Sequence, residues 1–383
     1  MIYLDYQATT PVDPAVLAAM VPYFTEQFGN AASRQHRLGW VADEAVEDAR
    51  KAVARLVGAS AKEIVFTSGA TEANNLALKG LAEVRPRSHD HIVTVVTEHK
   101  SVLDTCKRLE TLGCRTTMLP VERDGSVNLE TLRASVSEKT FAVSVMAANN
   151  EIGVLAPLKE IAQIAHSKGA LFHTDAVQAA GKVPFDVEIS GVDLASLTAH
   201  KLYGPKGVGA LYVRRRNPRV TIAAQLDGGG HERGMRSGTL NVPGIVGFGA
   251  AAKLADEQMP TEAARLRALR TRLLSGLERE VGDLIVNGEL DTRLPGNLNV
   301  SFPGIDGEAL LVSLSDELAV SSGAACTAAQ PSHVLKALGH KTELALASLR
   351  FGLGRWTTEA EIDRAVVLVG GVVTRLRAMS PAV

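Results

Sequence analysis

Cysteine is scarce in this chain. It occurs three times in 383 residues, as Cys106, Cys114 and Cys326. The odd number argues against a disulfide framework, and no CxxC or Cys/His spacing offers a resident metal site. Such usage fits a reducing compartment, so a cytoplasmic location is expected. No sign of charge prevails: 41 Lys and Arg face 42 Asp and Glu, for a net charge of -1. That gives no global pull towards nucleic acid or a membrane surface, and no direct nucleic-acid binding is expected. A local basic run remains at Arg214-Arg215-Arg216, followed by Arg219. Long apolar runs are missing too. None approaches the ~20 residues that cross a bilayer, and Met1 to Tyr6 lacks the pattern of a signal peptide. What remains is ordinary globular composition, with 46% hydrophobic and 22% charged residues. The length suits two domains.

Strand-like and helix-like runs alternate through the first two thirds. Val41 to Val57 has helical spacing, Ile64-Val65-Phe66 reads as a short strand, and Thr71 to about Glu83 reads as a helix after the Ser68-Gly69-Ala70 turn. Further strands are predicted at Ile92–Val96, Phe141–Met146, Leu171–Thr174, Leu194–Leu197 and Gly209–Val213. Strands separated by helices imply a mostly parallel sheet covered on both faces. The composition shifts after Asp256. Glu262 to Glu280 then reads as a charged amphipathic helix, Asn297 to Phe302 as a strand, and Glu359 to Leu376 as a last helix. The expected architecture is α/β: a large domain over residues 13–257, and a smaller α+β domain made from residues 1–12 and 258–383.

Ligands in open α/β sheets bind beyond the carboxyl ends of the strands, so the residues after each strand are the first candidates. Lys201 follows the strand Leu194–Leu197 and precedes the turn Tyr203-Gly204-Pro205-Lys206-Gly207. A lysine there can be held against a cofactor, whereas most lysines, Lys206 included, are solvated. Asp175 ends the run Leu171-Phe172-His173-Thr174. It is either a helix N-cap or the carboxylate partner of a protonated pyridine nitrogen. Ser68-Gly69-Ala70-Thr71 joins a strand to a helix start and can cup an anion, although many α/β proteins have such turns. It lacks the GxxxxGK[ST] spacing of a Walker loop. Lysine, aspartate and anion cup after three strands of one sheet specify an aldimine-forming cofactor site better than any one of them.

These segments resemble the cysteine desulfurases of the NifS/IscS type, within the class V aminotransferases of pyridoxal-phosphate fold type I. The resemblance runs nearly end to end. It includes Leu4-Asp5-Tyr6-Gln7-Ala8-Thr9-Thr10-Pro11, Thr97-Glu98-His99-Lys100, Asn149-Asn150-Glu151-Ile152-Gly153 and His200-Lys201. It continues through Gly228-Gly229-Gly230-His231-Glu232, Arg236-Ser237-Gly238-Thr239 and Ser321-Ser322-Gly323-Ala324-Ala325-Cys326-Thr327.

The resemblance implies that Lys201 joins the cofactor as a Schiff base and moves protons, that Asp175 holds the ring nitrogen, and that Gln178 bonds the ring hydroxyl. It implies that His99 stacks on the ring as an acid/base candidate. Ala70, Thr71, Thr198 and His200 would hold the phosphate, with Thr239 arriving from the partner of a homodimer. Asn150 and Arg350 would recognise the substrate, L-cysteine, and Asn150 would also touch the cofactor. Cys326 would take the sulfur as a persulfide and pass it to an acceptor protein docking nearby, for iron–sulfur cluster assembly, tRNA thiolation or DNA phosphorothioation. No resident metal is implied, and Cys326 is a candidate transient iron–sulfur ligand.

On the residues alone, a free cysteine is usually a small buried hydrophobe, and Cys106 and Cys114 are expected to be that. Cys326 sits among Gly, Ala, Ser and Thr, with no large apolar neighbour before Val334, which suits an exposed reactive thiol. Four residues separate Cys326 from Pro331, fewer than in housekeeping members of the family, and the chain stops at Val383 where those members continue. Both differences bear on the acceptor, which is expected to be other than the standard iron–sulfur scaffold or to dock elsewhere on the chain. A selenocysteine lyase or an aminotransferase of the same fold, and a binding protein that has lost catalysis, are the competing readings.

Overall fold

The structure is a computed structural model that describes residues 1–322 and 331–379. The chain opens with a two-residue strand, β1 (Ile2–Tyr3). The large sheet follows, built from β2 (Ile64–Thr67), β3 (His91–Val95), β4 (Arg115–Leu119), β5 (Thr140–Ser144), β6 (Leu171–Asp175), β7 (Leu194–Thr198) and β8 (Gly209–Val213). Its order is β2-β8-β7-β6-β5-β3-β4. Pairing is parallel from β7 through β6, β5 and β3 to β4, whereas β8 runs antiparallel to both of its neighbours. The carboxyl ends of β2, β3, β5, β6 and β7 therefore open on one edge.

Side chains alternate across this sheet with the two-residue period of a strand. Ile64, Phe66, Val93, Val143, Ala195, Leu197 and Tyr212 face a core shared with the helices Arg37–Leu56 and Leu158–His166. Val65, Ile92, Ala142, Leu194 and Leu211 face the helices Ala70–Val84 and Lys100–Glu110. Both faces are covered, which is why the central strands are apolar along their length.

A second core gathers Leu4, Leu298, Val300, Leu349 and Phe351 with residues of the last helix, Glu359–Met379. Here β10 (Asn297–Ser301) lies between β9 (Ile285–Val286) and β12 (Ser348–Gly352), all antiparallel. β1 pairs in parallel with β11 (Leu318–Ala319).

The helix expected over Glu262 to Glu280 is the second half of a 40-residue helix, Val242–Val281, with Pro260 inside it. A proline normally ends a helix. The two halves bury different faces: Ile245, Phe248 and Ala252 enter the first core, Leu269, Leu273 and Leu277 the second. Of the basic run, Arg214 is buried and paired with Asp193 at 3.2 Å, whereas Arg216 and Arg219 are exposed.

Candidate active site

The chain turns at the carboxyl edge of the sheet build one cleft of about 640 Å³. After β2, Gly69 adopts φ 156° and starts the helix Ala70–Val84 without a side-chain cap. The first N–H groups of that helix have no intrahelical acceptor, and the helix dipole favours an anion beside them. Gly209 on β8 permits this turn, because a Cβ there would stand 2.7 Å from the Gly69 backbone. Ala70, Thr71, Thr198 and His200 line this end of the cleft, and so does Lys206. His200 Nδ1 lies 3.1 Å from Thr9 Oγ1. Burial first, and then Lys201, press the His200 imidazole down to about 4, which keeps it neutral at physiological pH.

After β6, Asp175 is buried and accepts two hydrogen bonds, from Asn74 Nδ2 at 2.8 Å and from the Val177 N–H at 3.1 Å. Asn74 Nδ2 also reaches Ser101 Oγ at 2.8 Å, and Ser101 Oγ lies 2.8 Å from His99 Nδ1. His99 caps the helix Lys100–Glu110, with Nδ1 accepting the Ser101 N–H at 3.1 Å. That bond leaves Nε2 as the proton-bearing nitrogen of the neutral ring.

After β7, Lys201 Nζ donates to the carbonyls of Gln7 at 2.5 Å and Ala8 at 2.6 Å. Burial, reinforced by Arg350, lowers its amine to about 8, against the opposing pull of Asp5 and Asp175. Gln178, also buried, donates from Nε2 to the same Gln7 carbonyl at 3.0 Å and accepts from Lys182 Nζ at 2.8 Å.

Arg350 comes from the middle of β12. Its guanidinium donates to Asn150 O at 2.9 Å, Asp5 Oδ1 at 2.8 Å and Ser321 Oγ at 3.0 Å, while Nε has no partner. It lines the cleft beside Asn150, where a bound carboxylate would meet its charge. Two buried acids stand behind this wall. Burial raises Glu98 well above the carboxylate range, with Asp175 adding to the shift. Burial also brings Glu151 up to about 7, against a hydrogen bond from Ser332 and the charge of Arg350.

The residues fit an anionic cofactor with a basic ring nitrogen. The cleft brings together an N-terminal helix turn, the buried carboxylate of Asp175, the Lys201 amine of lowered pKa and the Arg350 guanidinium. Of the predicted residues, His99, Ala70, Thr71, Asn150, Asp175, Gln178, Thr198, His200, Lys201 and Arg350 all line this cleft. Thr239 does not; it is exposed on a segment whose Arg236 pairs with the cleft residue Glu72 at 2.8 Å. Cys326 lies outside the described residues. Cys106 and Cys114 are buried, and burial pushes the Cys106 thiol up to about 12. Sequence reasoning missed Gln7, Asn74, Ser101 and Lys182. Asn74 carried a signal, being polar on the buried face of an apolar helix. No group of three or more His, Cys, Asp or Glu that could hold a metal occurs among the described residues. No helix among them is long and apolar enough to cross a membrane.

Residues 2–365 match the family Aminotransferase class-V. The chain is 61% identical over 382 residues to the cysteine desulfurase IscS of Anaeromyxobacter sp. (strain Fw109-5), covering 99% of this chain and 94% of that protein. Among solved structures, a NifS-like protein superposes with a TM-score of 0.91 at 41% identity, over 98% of this chain and 100% of that one. SspA, solved in complex with cysteine, gives 0.82 at 36% identity, over 94% of this chain and 100% of that one.

Proposed function

The chain belongs to the class-V aminotransferase family as one of its pyridoxal-phosphate-dependent cysteine desulfurases, and from that premise we propose roles for its residues. Ala70, Thr71, Thr198 and His200 hold the phosphate. Asp175 holds the proton on the ring nitrogen, Gln178 bonds the ring oxygen, His99 covers the ring, and Lys201 is the covalent anchor. When bound, the cofactor supplies an electron sink for the substrate amine. The observation that carries this assignment is the convergence of Lys201, Asp175, Gln178 and Arg350 on a single cleft.

L-cysteine is the substrate, in keeping with a relative solved with cysteine. Arg350 and Asn150 bind and orient its carboxylate. Lys201, with an amine near neutrality, moves the proton at the substrate α-carbon, and His99 Nε2 is the second proton carrier. The Cys326 thiolate attacks the substrate sulfur. The bond between that sulfur and the substrate β-carbon breaks, its electron pair passes to the carbon, and a proton completes alanine. Cys326 keeps the sulfur as a persulfide. A protein thiol then takes it.

The same reading makes the enzyme a cytoplasmic homodimer in which Thr239 completes the partner's phosphate site. The exposure of Thr239 away from its own cleft supports this. It also divides the chain into residues 13–257 and a smaller domain of 1–12 and 258–383, supported by the apolar core that Leu4, Leu298 and Phe351 share with the last helix, apart from the clusters on the two faces of the large sheet. The acceptor serves iron–sulfur assembly, tRNA thiolation or DNA phosphorothioation. The test of the site is reduction of the cofactor-loaded enzyme with borohydride, followed by peptide mapping. Label on Lys201 supports the assignment, and label on Lys182 or Lys206 overturns it.

A further inference from the structure

We propose that Lys182 is a positioning residue that fixes the Gln178 carboxamide so that it presents an N–H, and not its carbonyl oxygen, to the cofactor ring. The inference deepens the reading above and rests on its placement of Gln178 against the ring oxygen. A glutamine amide can face its surroundings in two ways, and the neighbours decide which. Here both neighbours agree. Lys182 Nζ stands 2.8 Å from Oε1, and the Gln7 carbonyl, which can only accept, stands 3.0 Å from Nε2. Turning the amide over would set two carbonyl oxygens against each other at Gln7 and break the Lys182 bond. With one Nε2 hydrogen spent on Gln7, the other remains for the cleft that Gln178 lines. A donor at that point stabilises an ionised ring oxygen.

Lys182 also touches the second amine of the site indirectly. The Gln7 carbonyl that receives Gln178 receives Lys201 Nζ as well. Both lysines line a small space on the far side of this carbonyl, closed by Tyr203, Glu262 and Arg355. The charged groups that act on Lys182 are Lys201, Glu262 and Arg350. Burial first, and then Lys201, bring its amine down to about 7. Among the described residues, the bond to Gln178 is the one this buried amine makes. A neutral amine still donates, so Gln178 stays oriented across the titration.

The test compares Lys182→Met, Lys182→Arg, Gln178→Ala and the double variant Lys182→Met/Gln178→Ala, each confirmed folded by circular dichroism. Two quantities are read: the Kd of the apoprotein for pyridoxal phosphate, and the ratio of the visible band of the ionised ring to the shorter-wavelength band of the un-ionised one. Loss of one hydrogen bond should raise Kd about tenfold and move absorbance to the shorter wavelength. Lys182→Arg should restore most of both. In the Gln178→Ala background Lys182→Met should add little, because the two act as one unit. Additive effects, or a Lys182→Met spectrum like wild type while Gln178→Ala shifts, overturn the role of Lys182. An unshifted Gln178→Ala overturns the placement of Gln178 itself. If Lys182→Met does not fold, Lys182→Gln is read by the same criteria.

Discussion

The lowered amine of Lys201 makes a quantitative prediction about the apoprotein. An ordinary lysine titrates at 10.5, and Lys201 is brought to about 8 by burial and by Arg350. At pH 7 the unprotonated fraction then rises from about one in three thousand to about one in ten. That is a gain of roughly 300-fold in reactive amine. Competitive acylation of the apoprotein across pH, with each lysine followed by mass spectrometry, should give Lys201 a midpoint near 8 while exposed lysines titrate above 10. Arg350→Met removes a neighbouring cation and frees Asp5, and both changes favour the protonated amine. Its Lys201 midpoint should rise. The sign for stability follows from linkage. Between pH 8 and 10.5 the unfolded chain binds the proton and the folded chain does not, so the apoprotein gains about 3 kcal/mol as pH rises through that window. A Lys201 midpoint above 10, unmoved by Arg350→Met, would refute the reasoning.

Other outcomes are expected. Asn74→Leu removes one of the two donors to Asp175 and should weaken cofactor retention by about tenfold, read by dialysis and absorbance; retention equal to wild type would show that Asp175 does not depend on Asn74. Glu151, raised to about 7, holds a proton in the folded state that the unfolded chain has lost. Stability should therefore fall by about 3 kcal/mol as pH rises from 4.5 to 7, and Glu151→Gln should flatten that part of the denaturation profile. Sedimentation equilibrium should give a dimer, and Thr239→Val should lower cofactor affinity without changing the dimer mass; an active, cofactor-saturated monomer would contradict the shared site.

The sheet and much of the site were legible because parallel strands are short apolar runs and their carboxyl ends collect chemistry. Lys201, Asp175 and the Ser68-Gly69-Ala70-Thr71 turn each follow such a run. β4, Arg115–Leu119, was not visible, since an edge strand of Arg-Thr-Thr carries little of the apolar pattern. β12 was missed as well, although an arginine inside Ser348-Leu349-Arg350-Phe351-Gly352 is the signal of a buried functional cation. The helix Val242–Val281 was read as its second half because Pro260 and the polar stretch around it interrupt the periodicity. Gln7 and Lys182 work through a carbonyl shared with residues far away in sequence, and no local pattern records that meeting. Thr239 and Cys326 rest on the family resemblance, the first through a partner subunit and the second beyond the described residues.

The central claim is that sulfur leaves L-cysteine for Cys326. The most direct measurement is a single turnover of the cofactor-loaded enzyme with L-cysteine, without reductant, followed by peptide mass analysis and quantification of alanine. One alanine should appear for each enzyme site, and the peptide holding Cys326 should gain the mass of one sulfur atom. Peptides of Cys106 and Cys114 should remain unchanged. Cys326→Ser should bind cofactor and substrate yet carry no added sulfur and release no sulfide when reductant is supplied. Sulfide release by Cys326→Ser at the wild-type rate, or the extra sulfur on another cysteine, would contradict the account.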